Sequence, residues 1–340
     1  MSESMNQQIL LKSYPTGEPK ESDFALVETA IPEPREGEIL NRTIYLSLDP
    51  YMRGRMSDRA SYTTPAKLGE VMVGSTVSQV VKSNNPQFSA GDFVLGYGGW
   101  QDYAIAQGET LTKLDPNQVP ISYALGITGM PGMTAYFALL DIGKPKAGET
   151  MVVSAGSGAV GAVVGQIAKI KDCRAVGIVG SDKKCDYVVN QLGFDACINR
   201  KTQNLNSALK AACPNGIDIY VDHTAGPILE AVLQNINLGA RIPLVGLISQ
   251  YNAETPPPGP NLMPLLVKRA LIKGFLVGDY QQRHAEFMND MSQWLQAGKL
   301  KYKEDIIQGL ENAPRAFIGL LQGENFGKLI VQVGDDPTKK

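Results

Sequence analysis

Short segments in which apolar and polar residues alternate dominate the chain up to residue 126. Turn-forming stretches such as Pro32–Gly37 separate these segments. Several short strands at this spacing are typical of a small barrel or sandwich. The pattern therefore predicts a β-rich first domain over residues 1–126, with strands near 24–29, 39–47, 71–82, 93–97 and 103–107.

From residue 127 the pattern changes, because strand-like apolar runs now alternate with helix-like segments. This alternation indicates a parallel sheet whose strands are connected by helices. Six strands connected in this way make a complete doubly wound sheet. We predict strands near 150–153, 175–179, 196–198, 217–222, 241–246 and 271–277, and helices near 158–171, 182–192, 203–212, 227–237 and 281–297.

The predicted fold class is therefore α/β, with a β-rich domain followed by a doubly wound domain over residues 127–299. Residues 300–340 have the pattern of a helix and a strand, and we expect them to complete the first domain. Gly193 and Gly239 stand where helices should end, since glycine adopts the left-handed conformation found there.

Charge and composition exclude several function classes. The chain has 32 Lys and Arg against 34 Asp and Glu and no basic cluster, so no nucleic-acid partner is expected. Residues 151–170 have the length of a membrane span, but a Gly- and Ser-rich break within them favours a strand, a tight turn and a buried helix. Residues 1–6 have neither the basic nor the apolar part of a signal peptide, and we expect a cytoplasmic protein.

The four cysteines, Cys173, Cys185, Cys197 and Cys213, are at least twelve residues apart from one another. A structural zinc site or a thioredoxin-like redox pair would need a C-x-x-C spacing. We therefore predict free, buried thiols, as is usual in a reducing cytoplasm.

Residues 156–161 have the sequence Gly-Ser-Gly-Ala-Val-Gly, which matches the pattern G-x-G-x-x-G. The motif directly follows a predicted strand and opens a predicted helix. Its glycines allow a tight turn, and the N–H groups at the start of the helix then bind a pyrophosphate. In this context the motif predicts a dinucleotide site, with a glycine-rich packing turn as the alternative.

The end of the second strand distinguishes NAD from NADP sites, because an acidic residue there binds the ribose 2′-hydroxyl of NAD. This chain has Gly180 at that position, followed by Ser181, Asp182 and two lysines. Lys184 is placed to meet a 2′-phosphate, and Arg200 after the third strand can join it. We therefore predict NADPH, although Asp182 opposes this assignment and the lysines also fit a solvated helix start.

Candidate catalytic groups are few, because the first 126 residues contain neither Cys nor His. The ligands of a catalytic zinc are therefore missing, and no metal site is expected. Without a metal, a phenol can hold the negative charge that develops on a substrate oxygen. Tyr251 follows the fifth strand, where ligands bind in open α/β sheets, although a packing role also fits it. His223 is either a cofactor-edge residue or a core histidine.

Several longer motifs, in this order, resemble a known family. The chain resembles the zinc-independent medium-chain dehydrogenase/reductases, in particular the group of leukotriene B4 12-hydroxydehydrogenases, prostaglandin reductases and alkenal double-bond reductases, and within it the bacterial NADPH-dependent curcumin reductases. The motifs that carry the resemblance are 48–53 (LDPYMR), 68–72 (LGEVM), 129–136 (GMPGMTAY), 158–161 (GAVG), 248–252 (ISQYN) and 323–328 (GENFGK).

This resemblance implies a GroES-like β-barrel domain, a Rossmann domain, a homodimer and NADPH as the cofactor. It implies reduction of the C=C bond of α,β-unsaturated ketones or aldehydes, either curcumin-type compounds or simpler alkenals and enones. Hydride adds to the β-carbon and Tyr251 stabilises the enolate, while Tyr51 and Tyr62 resemble positions that line the substrate pocket. The predicted cofactor-binding residues are Ser157, Gly158, Ala159, Val160, Gly161, Ser181, Lys184, Arg200, His223, Val245, Gly246, Leu247, Ile248, Ser249, Phe275, Leu276, Val277 and Asn325.

Family members often carry Tyr at the position of Arg200 and Asn at that of His223, which leaves the contact of His223 open. Two other functions also stay open. An NADPH:quinone reductase shares the fold and the cofactor but turns over quinones rather than simple enones. A crystallin-like protein binds NADPH without chemistry, so that no carbonyl compound oxidises the bound cofactor.

Overall fold

The structure is a computed structural model that describes residues 5–59 and 61–339. Over these residues the chain divides into two compact units. The first contains the residues up to Gly126 together with Glu304–Asn325 and the residues from Leu329, and the second contains Ile127–Lys303 and Phe326–Lys328. The expectation about a signal peptide concerns residues 1–6, of which residues 1–4 lie outside the described residues.

The described residues form strands and helices with the following bounds. The strands are β1 (Met5–Leu11), β2 (Phe24–Ala30), β3 (Glu38–Ser47), β4 (Thr76–Ser83), β5 (Phe93–Gly96), β6 (Tyr103–Gln107), β7 (Thr112–Leu114), β8 (Thr150–Ser154), β9 (Arg174–Val179), β10 (Ala196–Asn199), β11 (Ile217–Val221), β12 (Ile236–Leu244), β13 (Leu271–Gly274), β14 (Glu304–Gln308) and β15 (Lys328–Gln332). The α-helices are α1 (Tyr51–Arg55), α2 (Met130–Phe137), α3 (Gly161–Ile170), α4 (Asp182–Asn190), α5 (Leu205–Ala212), α6 (Gly226–Leu233), α7 (Met263–Lys268), α8 (His284–Gln296) and α9 (Ala313–Gln322).

The first unit is built around the long strand β3. Its first half pairs with β6 and its second half with β15, while β4 pairs along its other edge. The whole sheet has the order β14-β15-β3-β4-β5-β7, and β1 and β2 form a separate antiparallel pair. Trp100 is fully buried in this unit, stacked on Phe24 and edge-on to Phe317 of α9. The C-terminal residues therefore supply both strands and core to this unit.

The second unit contains the parallel sheet, in the order β10-β9-β8-β11-β12-β13. Counted within the unit, this is the strand order 3-2-1-4-5-6 of a doubly wound dinucleotide-binding fold. The central strands β8, β9 and β11 are buried on both faces, as is typical of parallel sheets. On one face they pack against the cluster around Leu209 and Val232, and on the other Gly165 of α3 leaves room for the ring of Phe194. The predicted parallel doubly wound sheet is confirmed.

The predicted strands and helices needed several corrections. The strand predicted at 71–82 begins at Thr76, and the helix predicted at 227–237 ends at Leu233. Gly239 lies inside β12 rather than at a helix end, with φ of +72°. The pairing register between β11 and β12 shifts there, so the glycine marks a bulge, which glycine in a strand often does. Helices α1, α2 and α7 are not among the predicted elements; α1 and α7 have only five and six residues, which is too few to define a helical period.

The cysteine prediction is half wrong. Cys173 and Cys213 are free and buried as predicted, but Cys185 and Cys197 form a disulfide. Helix α4 packs beside β10 and brings the two Cα atoms to 5.3 Å, which is within the normal range for a disulfide. Their separation of twelve residues in the sequence carried no signal of this proximity.

The apolar stretch at 151–170 consists of a strand, a turn and a helix, as predicted. Helix α3 within it has only ten residues and is buried over most of its length. Among the residues that the structure describes, no helix combines the length and the apolar character needed to cross a bilayer.

Candidate active site

The glycine motif forms the turn between β8 and α3. The N–H of Gly156 donates to the carbonyl of Ile178 at 3.1 Å, and that of Gly158 donates to the carbonyl of Ala155 at 2.8 Å. A Cβ on Gly161 would lie 2.4 Å from the oxygen of Ala155, so only glycine fits at this close approach. The turn places the start of α3 at the carboxyl edge of the sheet. The positive end of the helix dipole lies there, and such a helix start is an arrangement that binds phosphate. Ser157, Ala159 and Val160 complete this turn.

Cationic side chains surround the end of β9. A Cβ on Gly180 would lie 3.9 Å from Nη2 of Arg200 and 3.6 Å from Cε of Lys201, so both side chains reach back from the end of β10. Lys184 lies in the first turn of α4, whose N-terminus faces the same loop. Lys184 and Arg200 thus follow the ends of two neighbouring strands, and their grouping around a 2′-phosphate stays a prediction.

Asp182, which opposed an NADP assignment, is held by a neighbouring side chain. Nδ2 of Asn199 donates to Oδ1 of Asp182 at 2.7 Å. Ser181 caps α4, since its Oγ accepts a hydrogen bond from the N–H of Lys184. The carboxylate therefore joins the start of α4 to the end of β10, where Arg200 follows directly.

Asp222 organises the turn after β11 and is fully buried. Its Oδ1 accepts hydrogen bonds from the hydroxyl of Tyr220 at 2.8 Å and from the N–H groups of Thr224 and Ala225, both at 2.9 Å. Oδ1 thus bonds to the turn, and Oδ2 has no hydrogen-bond partner among the described residues. No hydrogen bond joins the carboxylate to the imidazole of His223, so the two neighbours do not form a catalytic dyad.

His223 faces the end of β8. The backbone N–H of His223 donates to Oγ of Ser154 at 2.9 Å. Nδ1 of its imidazole lies 3.1 Å from the carbonyl oxygen of Ser154. A carbonyl oxygen only accepts, so Nδ1 carries the proton and Nε2 is an acceptor. Nε2 is buried and has no hydrogen-bond partner among the described residues. Burial lowers the pKa of this imidazole to about 4, so the ring is neutral near pH 7.

Tyr251 closes the loop that follows β12. This loop is anchored to the turn after β11, because the N–H groups of Val245 and Gly246 both donate to the carbonyl of Asp222. The hydroxyl of Tyr251 accepts from the N–H of Leu247 at 3.4 Å. Burial raises the pKa of this phenol above its usual 10, and the Leu247 N–H opposes that shift. Tyr251 is therefore a protonated donor at neutral pH.

The residues after β13 lie beside the same strands. The N–H of Phe275 donates to the carbonyl of Leu244 at 3.0 Å, which ties this segment to the end of β12. The ring of Phe275 is buried and stacks on Tyr280, whereas Leu276 is 41% exposed. Val277 begins a short 3-10 helix.

Three predicted site residues belong to the first unit. Tyr51 begins α1 and is half-buried, and burial together with the nearby Asp49 raises the pKa of its phenol. Tyr62 lies in the loop after α1 with 63% of its surface exposed. Asn325 lies between α9 and β15.

In the second unit, the ends of β8, β11 and β12 are adjacent, so the glycine turn, His223 and the loop 245–251 lie along one edge of the sheet. Ser154 and Asp222 hold these elements in place, and neither belongs to a sequence motif. Asp222 did have a sequence signal, since a buried carboxylate at a strand end usually bonds to the turn that follows. Among the described residues, no group of three or more His, Cys, Asp or Glu lies close enough together to hold a metal ion.

Comparisons with known proteins fit this geometry. A family model described as "N-terminal domain of oxidoreductase" matches residues 7–114, and one described as "Zinc-binding dehydrogenase" matches residues 159–296. NADPH-dependent curcumin reductase of Escherichia coli (strain K12) is 51% identical over 338 residues, covering 97% of this chain and 98% of that protein. The NADP(+)-dependent 2-alkenal reductase of Nicotiana tabacum is 44% identical over 97% of this chain and 98% of its own length.

A solved structure supports the same relationship. The crystal structure of CurA in complex with NADPH from Vibrio vulnificus has 52% identity and a TM-score of 0.92, covering 97% of this chain and 100% of that chain. This likeness confirms the predicted fold class, in which an N-terminal oxidoreductase domain is joined to a Rossmann-like parallel-sheet domain. The chain is therefore an oxidoreductase of the medium-chain dehydrogenase/reductase family, in the group that contains the curcumin, alkenal and prostaglandin reductases.

Proposed function

We propose that the chain uses NADPH to reduce the C=C bond of α,β-unsaturated ketones and aldehydes, of the curcumin type or as simpler alkenals and enones. The observation that supports this proposal is the edge of the parallel sheet, where a glycine turn at a helix start, cationic side chains and the half-buried phenol of Tyr251 follow strands of one sheet. The two units are proposed as the functional domains, with the dinucleotide on the second and the substrate-binding Tyr51 and Tyr62 on the first.

The residues present fit a dinucleotide. Gly161 lets α3 begin directly against the turn, because a Cβ there would lie 2.4 Å from the oxygen of Ala155. Backbone N–H groups of the turn, together with the dipole of α3, would hold the pyrophosphate. The loop 245–249 and the segment 275–277 lie at the ends of β12 and β13 and are proposed to contact the nicotinamide half. Asn325 is proposed as a further cofactor-binding residue.

The cationic group at the end of β9 favours NADPH over NADH. Lys184 and Arg200 would bind the 2′-phosphate, with Ser181 at the helix start. Gly180 offers no carboxylate for a 2′-hydroxyl, and the carboxylate of Asp182 is engaged by Asn199. The acidic residue that could have excluded a phosphate is therefore turned to another partner.

A different observation supports a contact between His223 and the cofactor. Its Nε2 is a buried acceptor without a partner among the described residues, and such an atom is costly unless a donor reaches it. A hydroxyl or amide N–H of the bound dinucleotide is the donor that we propose. A protonated imidazole could not accept, and the pKa of about 4 keeps the ring neutral.

The chemistry at the substrate follows from Tyr251. When NADPH is bound, it supplies the hydride that adds to the β-carbon of the conjugated C=C bond. Negative charge then moves to the carbonyl oxygen of the substrate, and the hydroxyl of Tyr251 donates a hydrogen bond to that oxygen. Because the Leu247 N–H donates to the same hydroxyl, it makes the phenol a stronger donor. The enolate is finally protonated at the α-carbon, which leaves a saturated carbonyl compound.

We propose a homodimer that forms through the exposed sheet edge of the second unit. β13 is the edge strand of the parallel sheet, and its four residues are all exposed. Apolar side chains of the adjacent helix α7, Leu266 and Val267, are 72% and 58% exposed. An apolar edge of this kind is an aggregation hazard in a monomer, and pairing with a second copy would cover it. We propose that this dimer works in the cytoplasm.

The test is NADPH oxidation with a matched set of acceptors. An enone, the corresponding saturated ketone, the corresponding allylic alcohol with NADP, and a quinone are compared, and the products are identified by mass and NMR. We expect turnover of the enone to the saturated ketone and none of the saturated ketone. Fast turnover of the quinone with slow turnover of the enone would support a quinone reductase instead. NADPH binding without oxidation by any acceptor would indicate a binding protein.

A further inference from the structure

The disulfide between Cys185 and Cys197 lies next to the proposed 2′-phosphate site. Cys185 directly follows Lys184 in α4, and Cys197 is the second residue of β10, three residues before Arg200. Both cysteines are half-buried, whereas Cys173 and Cys213 are buried. The cross-link therefore joins the two elements that carry the cationic side chains.

A hydrogen bond of 2.7 Å from Asn199 to Asp182 also joins the end of β10 to the start of α4. Asn199 is itself held, because its N–H donates to the side chain of Gln203 and its Oδ1 accepts from the N–H of Lys201. The closed disulfide adds a covalent link between α4 and β10 to this hydrogen bond.

We propose that Cys185 and Cys197 form a thiol–disulfide exchange site, and that the closed disulfide positions Lys184 and Arg200 for the 2′-phosphate. The proposal rests on the proposed function, which assigns these two side chains to that phosphate. Fixing both before binding lowers the cost of ordering them, so the closed form binds NADPH more tightly. NADH has no 2′-phosphate, and its affinity does not depend on the state of the cysteines.

The exchange takes a low-molecular-weight thiol such as glutathione. Its thiolate attacks one sulfur of the disulfide and forms a mixed disulfide, while the other cysteine leaves as a thiolate and takes up a proton. A second thiol attacks the mixed disulfide and releases the remaining cysteine. Overall, two thiols are oxidised to one disulfide, and two electrons and two protons reach the protein. Oxidised glutathione reverses the reaction and closes the bond.

The other two cysteines provide an internal control. Burial raises the pKa values of Cys173 and Cys213 to about 11, so both are almost entirely thiols at neutral pH. The thiolate is the nucleophile, and these buried thiols are therefore inert in the folded protein. Alkylation of the native protein should then report only the pair Cys185 and Cys197.

The experiment equilibrates the full-length protein with reduced or oxidised glutathione and measures three quantities. Intact mass after alkylation of the native protein counts the accessible thiols. Equilibrium titration gives the affinities for NADPH and for NADH, and turnover at saturating NADPH gives kcat. The same measurements are made on the double variant Cys185→Ser/Cys197→Ser and on the control Cys173→Ser.

The expected result is two alkylated thiols in the reduced protein and none in the oxidised protein. Reduction should weaken NADPH binding by about 3- to 10-fold, with NADH affinity and kcat unchanged. The double variant should bind like the reduced protein in both buffers, and Cys173→Ser should respond like the unmodified chain. Equal NADPH affinity in the two redox forms, or a parallel loss of NADH affinity, would overturn the proposal.

Two further variants separate this proposal from the proposed function. Lys184→Ala and Arg200→Ala should each weaken NADPH binding without affecting NADH. If neither does, the 2′-phosphate assignment is wrong and the exchange site loses its role with it. If both do, but the redox state changes nothing, only the exchange site is wrong.

Discussion

Single polar atoms decide what the sheet edge can do. The hydroxyl of Tyr251 accepts one N–H and keeps its own proton to donate, while Nε2 of His223 can only accept. Gly180 matters because it has no side chain, and a Cβ there would lie only 3.9 Å from the guanidinium of Arg200. The neighbouring residues fix these properties, and the residue types alone do not.

Replacing Tyr251 with Phe tests the proposed oxyanion donor. Tyr251→Phe removes one hydrogen bond to the developing charge and should lower kcat for enones by about 10- to 1000-fold. Affinity for NADPH should stay the same, because the phenol is not assigned to the cofactor. Steady-state kinetics and an NADPH titration measure the two effects. Tyr103→Phe, on β6 of the other unit, serves as the matched control, and an unchanged rate in Tyr251→Phe would remove its role.

A carboxylate at position 180 should change the cofactor preference. In Gly180→Asp the new side chain begins about 4 Å from the Arg200 guanidinium, where it would form an ion pair and compete with the 2′-phosphate. It also offers an acceptor for a 2′-hydroxyl. The ratio of kcat/KM for NADPH to that for NADH should fall by about 10- to 100-fold.

The control for that variant is Gly180→Ala, because its Cβ would meet only ordinary van der Waals contacts, the nearest at 3.6 Å. It should fold and keep the preference for NADPH. If Gly180→Asp also keeps that preference, then Arg200 does not contribute to cofactor choice.

At the scale of elements, the sequence predicted what depends on local periodicity. The six parallel strands, the glycine turn and the position of Arg200 after β10 all followed from hydrophobic runs and their spacing. Short elements such as α7 escaped prediction, because one or two turns give too few positions to define a period. The bulge at Gly239 and the disulfide at Cys185 also escaped it, since both depend on which strand or helix lies next to them.

The exposed edge of the second unit gives a prediction about assembly. Ile272→Glu on β13 places a charge in the edge strand and should prevent its pairing with another copy. We expect a mass of two chains for the unmodified protein and one for the variant, by light scattering after gel filtration. Leu26→Glu is the control, since Leu26 is a similarly exposed residue on β2 of the other unit. A single-chain mass for the unmodified protein would contradict the proposed dimer.

At the scale of the whole molecule, His223 links folding to pH. Its pKa is about 4 in the folded protein against 6.5 in the unfolded chain. Between these values the unfolded chain takes up a proton that the folded protein does not, so stability falls as pH drops from 6.5 towards 4 and then levels off. At 1.36 kcal/mol for each pKa unit, the loss is about 3 kcal/mol.

Urea unfolding from pH 7 to pH 4 measures this loss, with His223→Asn as the matched variant. The amide does not titrate, so the stability of the unmodified protein should fall relative to the variant over this range. All other titrating groups are common to both proteins and cancel in the difference. A constant difference between pH 7 and pH 4 would show that the imidazole is not desolvated in the folded protein.

Roles at the site were harder to predict than positions. The sequence pointed to His223 and Tyr251 because each follows a strand of the parallel sheet. It could not show that Ser154 fixes the tautomer of His223, or that Asn199 holds Asp182, because these contacts join residues that are 69 and 17 positions apart. Hydrogen-bond partners of this kind exist only once the sheet has formed.

The most direct test of the central claim is the destination of the hydride. An enone is reduced with NADPH that carries deuterium at the transferable position of its nicotinamide, and the product is analysed by deuterium NMR. We expect a saturated ketone with one deuterium on the carbon β to the carbonyl group. Deuterium on the carbinol carbon of an allylic alcohol, with the C=C bond intact, would contradict the central claim.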